Sequence, residues 1–187
     1  MPGSMIHLLS AYSICETTPD MLFLGSIAPD AVSDWKTKEL THFRNLEDRQ
    51  PALIELAKKT QGNFAEGVLL HLYLDWRWDT YFLKRFIEQT DGEWFPAYRN
   101  EIQHAGAYAF HYTAWAADIW KRIDEIAESD YGEIPSATSA ELKDFVSRNR
   151  IWHENNSLEP SSAFPPDEIA EFIAETVSEY KNWRKSV

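Results

Sequence analysis

The sequence predicts an all-α fold: a single compact multi-helix bundle over residues 1–187, with a long ligand-bearing loop between its early helices. Two observations carry that prediction. Apolar residues recur at spacings of three and four along most of the chain, and no tract shows the strict alternation of a solvent-facing strand. Glycine is scarce, at 7 residues, and the composition leans towards helices. The length of 187 residues fits one domain, and a hydrophobic fraction of 44% with 14% aromatics is enough to fill its interior.

Residues 5–14 read as a short first helix, with His7 in its first turns. Residues 19–25 follow as a second, with Pro19 to start it and Gly25 to end it. Residues 26–45 are too irregular for a long helix and too rich in ionisable groups for an idle connection. Ile27, Ala28, Val32, Trp35 and Phe43 give this segment apolar anchors, so an ordered functional loop is expected. Asp48 caps an amphipathic helix that opens at Pro51. From Asn63 to about Ile87, a longer helix places Phe64, Val68, His71, Leu72 and Asp75 on one side, and Asp91-Gly92 breaks it. Residues 94–127 read as one helix with the stripe Tyr108, Tyr112, Trp115, Ile119, Ile123 and Ile126. A turn-rich connection around Gly132 and Pro135 leads to a short helix over 140–149 and an irregular polar link over 153–166. Pro165-Pro166-Asp167-Glu168 opens the last helix, whose apolar face is Ile169, Phe172, Ile173, Val177 and Tyr180.

With 30 acidic and 18 basic residues the formal net charge is −12, which repels phosphate backbones and anionic headgroups. Nucleic acid is therefore not an expected partner. No run approaches the roughly 18 to 20 apolar residues of a membrane span, so stable membrane insertion is not expected either. A small phosphorylated substrate stays open, because a bound divalent cation reverses the local field. The lone Cys15, read as a small core residue, cannot form an internal disulfide. The N-terminus lacks the basic and long apolar regions of a signal peptide, so the expected location is cytoplasmic. A homo-oligomer is left open.

The strongest local signal is His71-Leu-Tyr-Leu-Asp75. Four residues apart on a helix, imidazole and carboxylate share a face and can reach one ion. The flanking residues are apolar, so both groups point inward, and a buried carboxylate needs a cation or a hydrogen-bonded partner. Taken alone, such a pair is more often an Asp orienting a core His. Asp30, held after Pro29 in a turn, and His42, twelve positions on, shift the balance. Together they make a mixed nitrogen and oxygen set that suits zinc, iron or manganese better than calcium or magnesium. His7, in the apolar run of the first helix, would by itself be read as a capping or partly exposed histidine.

These residues occur in an order that resembles a known family. An N-terminal His7, the loop Leu-Gly-Ser-Ile-Ala-Pro-Asp30, His42-Phe43, and Gly-Val-Leu-Leu-His71-Leu-Tyr-Leu-Asp75 are similar to the zinc-dependent phospholipase C family, and to small bacterial hydrolases grouped with it. The resemblance covers about the first half of the chain. It implies that Asp30, His42, His71 and Asp75 hold one ion and that His7 and Asp75 contribute to another, with zinc the first choice. Two features of that family are missing: the leading Trp whose amino group ligates metal after a secretion signal is removed, and a downstream HxxxE pattern. One or two divalent ions are therefore expected.

The second half offers weaker candidates. Glu101-Ile-Gln-His104 matches one half of a carboxylate-bridged di-iron motif that needs two copies. His104 and His111, seven apart, could line a substrate cavity, although hydrogen-bonded structural histidines are the simpler reading. His153 reads as part of a loop. Lys36, Lys38 and Arg44 cluster near Asp30 and His42 and could neutralise a phosphoryl group, or simply form a solvated face. No phosphate-binding glycine loop, HExxH motif or nucleophile elbow is present. The expected function is a metal-dependent phosphoester hydrolase, with Asp30 as the residue that orients the attacking water or takes its proton. The rival reading is a non-catalytic helical binding module with a structural metal or none.

Overall fold

The computed structural model describes residues 2–14, 17–127 and 137–187. Among these, ten α-helices follow in order: α1 (Ser4–Tyr12), α2 (Asp20–Ile27), α3 (Trp35–Thr41), α4 (Gln50–Lys59), α5 (Gly62–Trp78), α6 (Lys84–Gln89), α7 (Trp94–Tyr112), α8 (Ala116–Ile126), α9 (Ser139–Asn155) and α10 (Pro166–Arg184). A 3-10 turn spans Ala28–Ala31 and a π-helical turn spans Asp79–Leu83. No strand occurs among the described residues, so the fold is all-α as expected. Cys15 and most of the turn-rich connection around Gly132 and Pro135 lie outside the described residues.

The helix ends follow ordinary capping chemistry. Asp48 Oδ1 accepts the Gln50 N–H at 2.9 Å, one residue ahead of Pro51. Thr138 and Glu141 form a reciprocal capping box on α9. Asp167 and Glu168 lie at the positive end of α10, and Lys181 and Arg184 at its negative end. The predicted apolar face of α10 is buried along its whole length.

The tightest packing joins α2 to α5 through two glycines. A Cβ on Gly25 would fall 2.0 Å from the Phe64 carbonyl oxygen, and one on Gly67 would fall 2.3 Å from that of Leu22. The two backbones therefore touch directly. Gly25 thus does not end α2, as the sequence suggested; it lies inside the helix and serves close approach. On either side of α1 and α5 sits an apolar cluster. One gathers Leu8, Phe23, Leu24, Leu70, Trp120 and Val146; the other gathers Ile6, Trp78, Phe82, Tyr98, Phe164 and Phe172. Polar side chains on α1 and α5 are thus enclosed in apolar surroundings, where unpaired charge is expensive.

Other boundaries also differ. The expected loop over 26–45 is mostly helical, because Asp34 accepts the Thr37 N–H at 2.7 Å and caps α3. The single helix expected over 94–127 breaks at Thr113, where the backbone is extended, so Tyr112 leaves the stripe and is 73% exposed. The short helix expected over 140–149 continues to Asn155 and carries His153 into the interior. His153 is therefore no loop residue. It is buried, with its ring stacked on Phe110 at 5.4 Å.

Candidate metal centre

Four segments deliver five side chains to one point. His7 comes from α1, Asp30 from the 3-10 turn, His42 from the end of α3, and His71 and Asp75 from α5. His7, His42, His71 and Asp75 are buried to within 1% exposure. Directly after His42 the chain turns at Phe43, whose φ of 55° is costly for a residue with a side chain, by roughly 1–2 kcal/mol. Its ring packs on the apolar core, which holds the turn in place.

Hydrogen bonds decide which nitrogens face inward. His71 Nδ1–H donates to the Ser26 carbonyl at 2.7 Å, and His42 Nδ1–H donates to the Lys38 carbonyl at 2.8 Å. Each ring therefore carries its proton on Nδ1 and presents an Nε2 lone pair. The two Nε2 atoms stand 3.2 Å apart, and neither can donate to the other. His7 stacks on His71 with ring centroids at 3.8 Å, and its Nε2 lies 3.4 Å from Asp75 Oδ1. Asp75 Oδ2 faces His42 and His71, both at 3.9 Å. Both nitrogens of His7 and both oxygens of Asp75 are buried without a hydrogen-bond partner. Such orphaned atoms cost about 1–3 kcal/mol each unless something compensates them.

Electrostatics favour the same ligand state. Burial, with His7 alongside, pushes His71 down to about 3, and burial also lowers His42, so both are neutral near pH 7. Burial alone would raise the two carboxyls. The imidazoles of His71 and His7 outweigh it at Asp75, and Lys38 does so at Asp30, so both stay ionised.

These residues fit a divalent ion. Two ligand atoms about 2.1 Å from a tetrahedral zinc stand roughly 3.4 Å from each other. The observed separations of 3.2, 3.4, 3.8 and 3.9 Å surround that value. Two overlapping ligand groups emerge: His7, His71 and Asp75, and Asp30, His42 and His71. They share His71, whereas the resemblance implied that Asp75 would be the shared residue. With its Nδ1 committed to Ser26, His71 has one lone pair and can serve one ion only.

No family model matches this chain, and searches of curated proteins and of solved structures find no match either. What the site can do must be read from its own geometry.

Of the other predicted residues, only Lys38 and Arg44 contact the cluster. Lys38 Nζ pairs with Asp30 Oδ1 at 2.6 Å. Arg44 Nη2 reaches Asp75 Oδ2 at 3.6 Å and Asp79 Oδ2 at 2.9 Å, and Arg49 pairs with Asp79 from the other side at 2.9 Å. Lys36 is exposed and takes no part in these pairs. His104 and His111 do not reach the cluster. They bond the carbonyls of Glu159 and Asn156 at 2.9 and 3.1 Å, tying α7 to the segment after α9. Glu101 is structural too: its carboxylate accepts from the Ser161 hydroxyl at 2.6 Å and from the N–H groups of Ser162 and Ala163.

Asp79 and Arg49 were missed. The signal was in the chain, since Asp79 continues the four-residue spacing of His71 and Asp75. It lies where α5 widens into the π-helical turn, a distortion common beside functional sites. A cavity of about 740 Å³ opens next to the cluster, lined by Asp30, Lys38, Arg44 and residues of α7 and α9. Of the five cluster residues, Asp30 alone reaches it. Among the described residues, no helix is long and apolar enough to cross a membrane.

Proposed function

We propose that this protein is a metal-dependent hydrolase of phosphoesters. The observation that carries the reading is the apposition of two acceptor nitrogens, His42 and His71 Nε2, 3.2 Å apart beside a buried carboxylate that lacks hydrogen bonds. Three imidazoles and two carboxylates form a mixed nitrogen and oxygen set that suits a divalent transition metal, with zinc ahead of iron and manganese. A divalent ion held there lowers the pKa of water and withdraws charge from a phosphoryl group.

The chain's own residues supply the rest. Asp30 stands between cluster and cavity, and with Lys38 holding its pKa down it accepts a hydrogen bond from water more readily than it keeps a proton. Its role is therefore to orient the nucleophile. Lys38 and Arg44 line the cavity as cations and neutralise charge building on the phosphoryl oxygens. The motif resemblance to zinc-dependent phospholipases C is in keeping with this chemistry.

The test is elemental analysis of protein purified without added metal, followed by chelation and readdition of zinc, iron or manganese. The substrates are p-nitrophenyl phosphate and bis(p-nitrophenyl) phosphate. Bound transition metal and hydrolysis that is lost on chelation and restored by metal are expected. Protein with neither bound metal nor metal-stimulated cleavage rules the reading out. Unfolding on chelation without any hydrolysis in the loaded protein points instead to a structural ion.

A further inference from the structure

Two cavities flank α7, and their chemistries differ. The one of about 620 Å³, between α1, α7 and α10, is walled by aliphatic side chains such as Leu9, Ile169, Ile173 and Val177, and touches none of the five cluster residues. The cavity of about 740 Å³ that meets the cluster is cationic and aromatic instead. Lys38, Arg44, Arg99 and Arg148 line it against one carboxylate, Asp30, in a chain of net charge −12. An acyl chain would find its complement in the first cavity, away from the cluster. The second suits an anion with a flat ring.

The arrangement within that cavity is specific. Trp35 lies one helical turn before Lys38 on α3, and Phe95 one turn before Arg99 on α7, so each aromatic shares a helix side with a cation. Trp35 is 54% exposed and Phe95 48%, although both line the cavity. No ring contact or ion pair of Trp35 or Arg99 occurs among the described residues, so both groups are available to a ligand. On α9 and just past it, Asn149, Asn155 and Asn156 each donate one Nδ2–H to the carbonyls of Phe145, Ile151 and Trp152 at 2.8, 2.8 and 2.7 Å. These three amides line the cavity with an acceptor oxygen and a second N–H each to spare. A ring that carries both donors and acceptors, as a nucleobase does, would satisfy them.

We propose that this cavity binds a phosphoester of the mononucleotide class, its base stacked on Trp35 and its phosphate between Lys38 and Arg44. The placement of the phosphate rests on the hydrolase reading above; the recognition of the ring does not. A volume of about 740 Å³ lies within the range of roughly 300–1,000 Å³ of small-molecule sites.

The experiment is calorimetric titration of chelator-treated, full-length protein with AMP and with ribose 5-phosphate, which share the phosphate and differ in the base. AMP is expected to bind at least about tenfold more tightly, the scale of one base–aromatic stack. Trp35→Ala should bring the ratio near one, and Trp35→Phe should retain most of it. Far-UV circular dichroism checks that the exposed substitution leaves the fold intact. Equal affinities, no measurable AMP binding, or a ratio indifferent to Trp35→Ala overturns the proposal. Ring preference without metal-dependent hydrolysis upholds it while removing the hydrolase reading. Hydrolysis without ring preference does the reverse.

Discussion

Replacing Asp75 by Asn separates a metal ligand from a structural carboxylate, because only a ligand makes the zinc-induced gain in stability depend on this side chain. The shape of the side chain is kept and one buried negative charge is removed. In the metal-free protein that carboxylate has no hydrogen bond, and its nearest cation, Arg44 at 3.6 Å, also pairs with Asp79 at 2.9 Å. Arg44 is therefore not stranded by the change, and the usual penalty of roughly 3–5 kcal/mol for breaking a buried pair does not apply. Metal-free Asp75→Asn should melt a few degrees below the parent, because the folded surroundings that hold this carboxyl below the usual carboxylate range favour its charge. With zinc at a hundredfold excess over its dissociation constant, the parent gains about 2.7 kcal/mol. For a domain of this size that is a rise of about 5–11 °C in Tm. The variant should show under about 2 °C. Calorimetry of chelated and zinc-loaded samples reads all four values. An equal zinc shift in both proteins would refute the reasoning.

Three further substitutions probe the scaffold. His153 is neutral and buried against Phe110, and burial, with His111 nearby, pushes it down to about 4. The unfolded chain binds this proton at about 6.5 and the folded chain resists it, so stability is full above pH 6.5 and declines as pH falls towards 4, by about 3 kcal/mol in all. His153→Phe should flatten that slope in urea midpoints measured at pH 7 and pH 4.5; an unchanged slope would place the titration elsewhere. Gly67→Ala sets a methyl 2.3 Å from the Leu22 carbonyl oxygen and should lose about 3 kcal/mol or more, with weakened zinc binding because the Ser26 carbonyl that holds His71 shifts. Gly62→Ala, with φ at +80° and open space around it, should lose only about 1 kcal/mol and leave zinc affinity alone. Similar losses and affinities for the two would contradict the backbone-contact argument.

Legibility of the site followed the range of the interaction. His71 and Asp75 lie on one helix, so the helical period alone set them on one face. Asp79 obeys the same spacing, but it falls where α5 gives way to the π-helical turn, so its partners Arg44 and Arg49 come from segments that the helical period does not reveal. His104 and His111 also sat on a plausible stripe, yet they serve the carbonyls of Glu159 and Asn156, which no spacing within α7 could reveal. The short α3 was hidden because five of its seven residues are polar or charged and none is buried, leaving little periodic signal to read.

What the chain determined by itself was local: helices from apolar periodicity and caps, an interior rich in aromatics, and a histidine–carboxylate pair pointing inward from α5. Only the tertiary structure decided that His7, Asp30 and His42 meet that pair, and that His42 and His71 turn their lone pairs towards each other. Those outcomes depend on the contact of α2 with α5 at Gly25 and Gly67, and on carbonyls of Ser26 and Lys38 that claim the Nδ1 protons. A helical repeat fixes neighbours within a turn or two. Convergence of residues far apart in the chain is set by packing between elements, where a single Cβ can forbid the approach.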